Sequence, residues 1–109
     1  MKAVAGVLGA LGVAAGAFGA HGLRGVVTPE RMDTWHTASS YHLAHAVVLL
    51  VLALTGVERR VTFGLFTAGI LLFSGSLYAL VLLDMAALGA VTPVGGVAFI
   101  LGWLSLLRR

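Results

Sequence analysis

The chain has 109 residues, of which 60% are hydrophobic and 10% are charged, and its mean hydropathy is +1.04. This composition supplies too few charged residues for the surface of a water-soluble domain of this size, and it is typical of a membrane protein. The net charge of +3 comes from basic residues at the ends of apolar stretches, so it does not indicate a nucleic-acid-binding patch; the chain has no cysteine and forms no disulfide.

Apolar stretches long enough to cross a bilayer, which takes roughly 20 residues, occur four times along the chain. They predict transmembrane helices at residues 3–20, 39–57, 61–83 and 93–107. An interfacial helix over residues 29–38 is predicted to lead into the second span. Thr28–Pro29 and Thr92–Pro93 each predict a helix start, with Thr as the N-cap and Pro in the first turn. The predicted fold class is all-α: a single domain, residues 1–109, forming an integral membrane four-helix bundle.

The basic residues predict the orientation of this bundle. One side of the membrane carries five of them, Lys2, Arg59, Arg60, Arg108 and Arg109, and the other side carries Arg24 and Arg31. Because cytoplasmic loops are enriched in Lys and Arg, both termini are predicted to be cytoplasmic in a multi-pass protein of the cell (inner) membrane. We expect Trp103 and Arg108 to anchor the short fourth span at the interface. Residues 15–17 are similar to a signal-peptidase site, but a Gly/Ala-rich span is more typical of a packing helix, so we expect it to be retained.

Small residues predict where the helices approach each other. Twelve of the 18 residues from 3 to 20 are Gly or Ala, while most of the larger ones form a single stripe. Helices in lipid associate through close packing at small residues, so the first span is expected to be the central helix, covered on most sides. The predicted packing positions are Gly12, Gly16 and Ala20 in the first span and Gly64, Ala68, Gly75 and Ala79 in the third. Ala98 and Gly102 repeat the spacing in the fourth.

Polar residues form a predicted cluster toward the outer side of the bundle: His21, His42, His45, Tyr41 and Asp84. Ionisable groups at membrane depth are costly, and they are functional candidates for that reason. In the first interpretation the histidines are structural, with hydrogen bonds that join helices. The others are a metal site, in which His42 and His45 share a helix face and His21 supplies a third nitrogen, and a proton relay. Asp84 projects away from the small face of the third span, which argues against its membership of an inward site.

Sequence motifs for catalysis do not point to an enzyme: the chain has no H-E-x-x-H, no phosphate-binding loop and no G-x-G-x-x-G. The predicted function is a non-enzymatic structural or accessory membrane component without a cofactor. Its predicted partners are the lipid bilayer and either a second copy or other membrane proteins. The alternatives are a small transporter or channel that uses the histidines as a metal or proton relay, and a membrane enzyme acting on lipid or quinone.

Two segments also resemble a known family. They are Gly-Ala-Phe-Gly-Ala-His-Gly-Leu (16–23) and Trp-His-Thr-Ala-Ser-Ser-Tyr-His-Leu-Ala-His (35–45). Together they resemble the domain of unknown function 423 family, which is similar to the transmembrane protein 256 group of animals. The resemblance covers essentially the whole chain. It implies a small four-span protein of an inner or organelle membrane, and it implies no activity.

Overall fold

The computed structural model describes residues 1–55 and 59–107, and within them it contains five α-helices. They are α1 (Lys2–His21), α2 (Pro29–Leu54), α3 (Arg60–Gly69), α4 (Gly75–Leu83) and α5 (Thr92–Ser105). A π-helical turn, Ile70–Ser74, joins α3 to α4, and the continuous rod is called the third span below. A 3-10 helix, Ala86–Ala90, precedes α5.

Four helical stretches of the described chain are long and apolar enough to cross a membrane: Lys2–His21, Pro29–Leu54, Arg60–Leu83 and Ala86–Ser105. They pack into a bundle of 47 × 25 × 16 Å. The all-α four-helix prediction is therefore confirmed. Val57, the predicted end of the second span, lies outside the described residues, as do Arg108 and Arg109.

The predicted interfacial helix and second span form one continuous helix. With 26 residues at 1.5 Å each, α2 is about 39 Å long, which exceeds the ~30 Å hydrocarbon core of a bilayer. Its first turns can therefore stand at the interface while the rest crosses. The hydroxyl of Thr28 accepts a hydrogen bond from the backbone N–H of Arg31 at 3.2 Å, so Thr28 caps the helix as predicted.

The second predicted cap is wrong. Val91 holds the N-cap position of α5, and Thr92 is already inside the helix. The hydroxyl of Thr92 lies 2.7 Å from that of Ser76, so it joins α5 to the third span instead of capping its own helix. A tertiary partner has displaced the local one.

The predicted central position of the first span is also wrong. Only 22% of the apolar window of α1 is buried, against 39% for the third span, and α1 packs mainly against α2. The third span packs against both α2 and α5. Most of the large side chains of α1 point away from the bundle, with Val7 60% and Leu11 54% exposed, while Leu8 is buried. A Gly/Ala-rich helix permits close approach on every side, but in this chain only one of its faces is covered.

The predicted packing residues differ in their surroundings. Gly12 is buried against α2, where a Cβ would lie 3.4 Å from the backbone of Leu43. The other positions in the first and third spans are at least partly open: Gly64 and Ala20 are exposed, Gly16, Ala68, Gly75 and Ala79 are half-buried, and Gly16, Gly64 and Gly75 have open space where a Cβ would stand. In the fourth span Ala98 and Gly102 are both buried.

The third span and α5 pack through glycines opposite phenylalanines. A Cβ at Gly69 would lie 2.6 Å from a ring carbon of Phe99, and one at Gly102 would lie 2.8 Å from a ring carbon of Phe66. At Gly95 the obstacle is backbone, because a Cβ would lie 2.7 Å from the Cα of Phe73 in the π-helical turn. At this position α5 therefore packs directly against the backbone of the π-helical turn.

Candidate functional site

The polar side chains of α2 lie on its buried face. Buried residues recur at intervals of three and four, as they do on one side of a helix. They are Trp35, Ala38, Ser39, His42, His45, Ala46 and Leu49. Within residues 1–55 and 59–107, every buried side-chain nitrogen and oxygen has a hydrogen-bond partner. The polar atoms on this face are therefore already engaged by the bundle itself.

Two side chains of α2 hydrogen-bond to the backbone of α1. The indole Nε1 of Trp35 donates to the carbonyl oxygen of Ala15 at 2.7 Å, and Nε2 of His42 lies 2.7 Å from the carbonyl oxygen of Leu8. The donors are seven residues apart in α2, and the acceptors are seven apart in α1. Antiparallel helices that stay in contact bring such heptad-spaced positions together in successive layers.

A glycine of α1 lies opposite each of these donors. Gly12 and Gly19 each lie four residues after one of the acceptor carbonyls, and both are buried. A Cβ at Gly19 would lie 2.6 Å from Nε1 of Trp35, and one at Gly12 would lie 3.4 Å from Cδ2 of His42. Only Gly19 is therefore needed to make room for its donor, because a Cβ at Gly12 would be in ordinary van der Waals contact with His42.

His42 also joins α2 to the third span. A carbonyl oxygen only accepts, so Nε2 of His42 must carry the proton that is shared with Leu8. In the neutral ring Nδ1 then has a lone pair, and the hydroxyl of Tyr78 donates to it at 2.8 Å. Both nitrogens of His42 are engaged, one to each neighbouring span.

His45 joins α2 to α5 with the opposite tautomer. The indole Nε1 of Trp103 can only donate, and it lies 3.1 Å from Nε2 of His45. Nδ1 of His45 therefore carries the proton, which it donates to the carbonyl oxygen of Tyr41 at 2.7 Å. The imidazole stacks on the ring of Phe99 with centroids 3.8 Å apart. The side chain of Tyr41 is 47% exposed and lies beside Phe73, 4.8 Å between centroids.

A further set of hydroxyl groups holds the third span. Ser74, with no exposed surface, donates to the carbonyl oxygen of Ala38 in α2 at 2.7 Å. Thr62 and Ser105 pair at 2.6 Å between the third span and α5. Counting these bonds with those of the ring nitrogens, α2 is hydrogen-bonded to each of the other three spans.

The predicted polar cluster is not one site, because the helices place its members at different depths. His21 ends α1, and it lies 13 residues beyond the level at which His42 meets α1, about 20 Å along the axis at 1.5 Å per residue. Asp84 follows α4, where its carboxylate accepts from Nε of Arg31 at 3.0 Å and its side chain is 82% exposed. Of the predicted cluster, only His42, His45 and the backbone of Tyr41 belong to the joints around α2.

This geometry bears directly on metal or proton chemistry. An imidazole binds a metal through its unprotonated nitrogen. In both rings that nitrogen accepts a hydrogen bond, from Tyr78 in the case of His42 and from Trp103 in the case of His45. Across the part of the chain that the structure describes, no three His, Asp or Glu side chains are grouped closely enough to hold a metal ion. Metal binding would first have to break a bond between spans.

Comparison with known proteins identifies relatives over most of the chain. Residues 15–96 match the profile of the family described as a protein of unknown function, DUF423. The chain belongs to this family. It is 46% identical over 90 residues to the UPF0382 membrane protein YwdK of Bacillus subtilis, an alignment that covers 77% of this chain and 73% of the relative. It is 42% identical over 89 residues to the UPF0382 membrane protein SAB0533 of Staphylococcus aureus, with 78% and 73% covered. No solved structure matches the chain.

The DUF423 match and the four spans together make this a multi-pass membrane protein. The matched residues include Trp35, His42, His45, Ser74 and Tyr78, and they leave out Leu8, Gly12 and Trp103. The family region therefore contains the donors on α2 and their partners in the third span, while two of the partners in α1 and α5 lie outside it.

The predicted site residues do not include three that shape the joints: Gly19, Trp35 and Trp103. One signal was available, since Gly12 and Gly19 are seven residues apart, as are Trp35 and His42. Equal heptad spacing of glycines on one helix and of ring donors on the next indicates matched layers. The Gly-x-x-x-Gly motif has an interval of four residues, so it does not include the seven-residue interval between Gly12 and Gly19. No local pattern connects Trp103 to His45, which are far apart in sequence.

Proposed function

We propose that this protein is a non-enzymatic structural or accessory component of the cell membrane, in which His42 and His45 of α2 hold the four spans in one arrangement. The observation that carries the proposal is the complete use of both imidazoles. His42 bonds to α1 and to the third span, and His45 bonds to α5 and to its own helix. A relay or a metal site requires a ring nitrogen that can exchange partners.

The energetics favour the same function. Interhelical hydrogen bonds in membranes contribute roughly 0.6–2 kcal/mol each. Removal of one partner also leaves a buried polar group unsatisfied, which costs about 1–3 kcal/mol. His42 makes two interhelical bonds, so its loss affects contacts with two spans at once. Residues that stabilise a fold in this way need no substrate to account for them.

The test compares stability with transport in the same variants. We expect His42→Ala and His45→Ala each to lower the unfolding free energy by about 1–3 kcal/mol. His42→Gln retains an amide donor and an acceptor, and it is expected to lose less. Val47→Ala truncates an exposed side chain of α2 (54% exposed) and serves as the matched control, with little change expected.

Transport is measured with wild-type protein in liposomes containing a pH-sensitive or a zinc-sensitive dye. The proposal expects the same traces from wild-type vesicles and from protein-free vesicles. A wild-type flux that His42→Gln or His45→Gln abolishes, in variants that remain folded, would overturn the structural role and establish the relay.

The proposal includes the orientation with both termini in the cytoplasm, which the distribution of basic residues supports. Because the chain has no cysteine, single reporters can be introduced cleanly. Val26→Cys lies in the exposed loop between α1 and α2, and Lys2→Cys lies at the start of α1. A membrane-impermeant maleimide applied to intact cells is expected to label position 26 and not position 2, and the reverse result refutes this orientation.

The proposal also includes self-association through the small residues of α3 in the third span. Exposed Gly64 and half-buried Ala68 support it, since small residues allow close helix approach in lipid; half-buried Gly75 and Ala79 follow the π-helical turn and lie on the rotated face of α4. We expect Ala68→Cys to form crosslinked dimers in native membranes. Val47→Cys, on the exposed side of α2, is the control. Equal crosslinking at the two positions contradicts a dimer through this face.

A further inference from the structure

A cavity lies at the end of the bundle where α1 turns into α2, away from His42 and His45. It is open, has a volume of about 650 Å³, and falls within the usual range for small-ligand pockets. The residues around it come from the end of α1, the turn and the first turns of α2. They are Gly19, Ala20, His21, Arg24, Gly25, Val27, Pro29, Met32 and His36.

Three of the lining side chains are hydrogen-bond donors without a partner among the residues that the structure describes. Across residues 1–55 and 59–107, the side chains of His21, Arg24 and His36 form no hydrogen bond or ion pair. The guanidinium of Arg24 offers five N–H groups, and each imidazole offers at least one. Arg31, on the same end of the bundle, differs because it is paired with Asp84.

The charge of the cavity selects an anion. Its lining contains one arginine and two histidines and no Asp or Glu. Glu30 and Asp33 lie in the first turns of α2, but neither lines the cavity. A phosphate group accepts several donors at once, and arginine matches it with two parallel N–H bonds.

The location of the cavity favours a lipid phosphate. His21 is the last residue of α1, so the donors lie where a membrane span ends, at the depth of lipid head groups. Ala20 lines the cavity and shares a helix face with Gly9 and Gly16, which have open space where a Cβ would stand. This lipid-facing strip along α1, on which exposed Val13 lies between the two glycines, runs from the cavity toward the membrane interior. An acyl chain can lie along this strip beside the helix, whereas a soluble phosphate has no chain that could contact it.

We propose that this cavity binds the phosphate group of an anionic phospholipid through Arg24, His21 and His36, with an acyl chain along the Gly9–Gly16 strip. The site does not depend on the structural role of His42 and His45. An inorganic or soluble organic phosphate has the same anionic group and lacks the chain, so the two sources can be separated by experiment.

The experiment measures lipid binding to the full-length protein by native mass spectrometry from detergent. Phosphatidylglycerol and phosphatidylcholine with identical acyl chains are titrated separately. The proposal expects phosphatidylglycerol to bind more tightly, and Arg24→Gln to weaken that binding about tenfold. Arg31→Gln removes the same charge from the same end of the bundle, outside the cavity, and is expected to leave the affinity unchanged.

Three results would overturn the proposal. Equal binding of the two lipids removes the requirement for an anion. Equal weakening by Arg24→Gln and Arg31→Gln shows attraction to general surface charge in place of a site. Displacement of phosphatidylglycerol by glycerol phosphate at equal concentration shows that the acyl chain contributes nothing, and that the source is a soluble phosphate. Arg24 is exposed, and circular dichroism of the variant checks that it folds.

Discussion

Substitution of Gly19 by alanine tests whether the absence of a side chain at position 19 makes room for the indole of Trp35. The new Cβ would lie 2.6 Å from Nε1 of Trp35, closer than van der Waals contact allows. Trp35 is only 4% exposed, and its ring is held by Phe18 and Tyr78, with centroids 5.7 and 4.6 Å away. It therefore cannot move aside without breaking its 2.7 Å hydrogen bond to Ala15.

The magnitude follows from three contributions. Overpacking costs about 1–3 kcal/mol, and the lost interhelical bond costs roughly 0.6–2 kcal/mol. Alanine returns about 1 kcal/mol through its higher helix propensity. The net expectation for Gly19→Ala is a loss of about 1–3 kcal/mol in unfolding free energy. Gly16→Ala is the matched control, because it lies in the same helix with open space around it and gains the propensity term alone.

The assay is reversible unfolding in mixed micelles, followed by far-ultraviolet circular dichroism. Gly19→Ala should be less stable than Gly16→Ala by about 2–4 kcal/mol. In a Trp35→Leu background the indole is gone, and the cost of Gly19→Ala should largely disappear, as a double-mutant cycle would show. Equal stability of the two alanine variants, or an unchanged cost without the indole, would show that position 19 does not need to be glycine to accommodate Trp35.

Three further predictions are tested in the same assay. Gly95→Ala places a Cβ against the backbone of the π-helical turn and should lower the unfolding free energy by about 3 kcal/mol or more. Gly96→Ala is the control: its Cβ meets only ring atoms, the nearest at 3.8 Å, and it should be nearly neutral. Similar costs for the two variants would contradict this packing. Asp84 has φ 52°, in the left-handed region that strains most side chains. Asp84→Gly should therefore be neutral or stabilising, and Asp84→Val should cost about 1–2 kcal/mol of unfolding free energy. The opposite order would show that the backbone at this position is not strained. Trp103→Phe removes the donor to His45 and should cost about 1 kcal/mol, and no loss would mean that this bond does not stabilise the bundle.

The spans could be predicted from the sequence because their signals are local. Hydropathy over some twenty residues depends only on those residues, and Thr28 caps a helix that begins at the next position. Thr92 shows where local reasoning ends. The same Thr-Pro pair has a hydroxyl partner on another span, and no nearby residue encodes the presence of Ser76.

The packing faces could be predicted less well. The stripe of Gly64, Ala68, Gly75 and Ala79 assumes an α-helical period through the whole third span. Residues 70–74 are π-helical, with bonds that span five residues, so the face of α4 is rotated relative to that of α3. The sequence of α1 alone does not determine which face is packed, because its twelve small residues form several possible packing faces. The face that is packed depends on Trp35 and His42 of α2.

The candidate site was divided correctly only by the structure. A list of histidines carries no information about which nitrogen of each ring is protonated, and that depends on partners such as Tyr78 and Trp103. His42 and His45 are three residues apart, yet they bond to different spans with opposite tautomers. Their short spacing predicts a shared ligand, but in the structure His42 bonds to α1 and the third span, while His45 bonds to α5.

The acceptors on α1 are main-chain oxygens, and this has a consequence for how the sequence can vary during evolution. Every amino acid supplies the same carbonyl group, so residues 8 and 15 can exchange among apolar types of suitable size without loss of either hydrogen bond. Gly19, one turn after Ala15, and the indole of Trp35 have no such freedom, because a Cβ at position 19 would overlap the indole. Among descendants of a common ancestor, Gly19 and Trp35 should therefore be retained or lost as a pair.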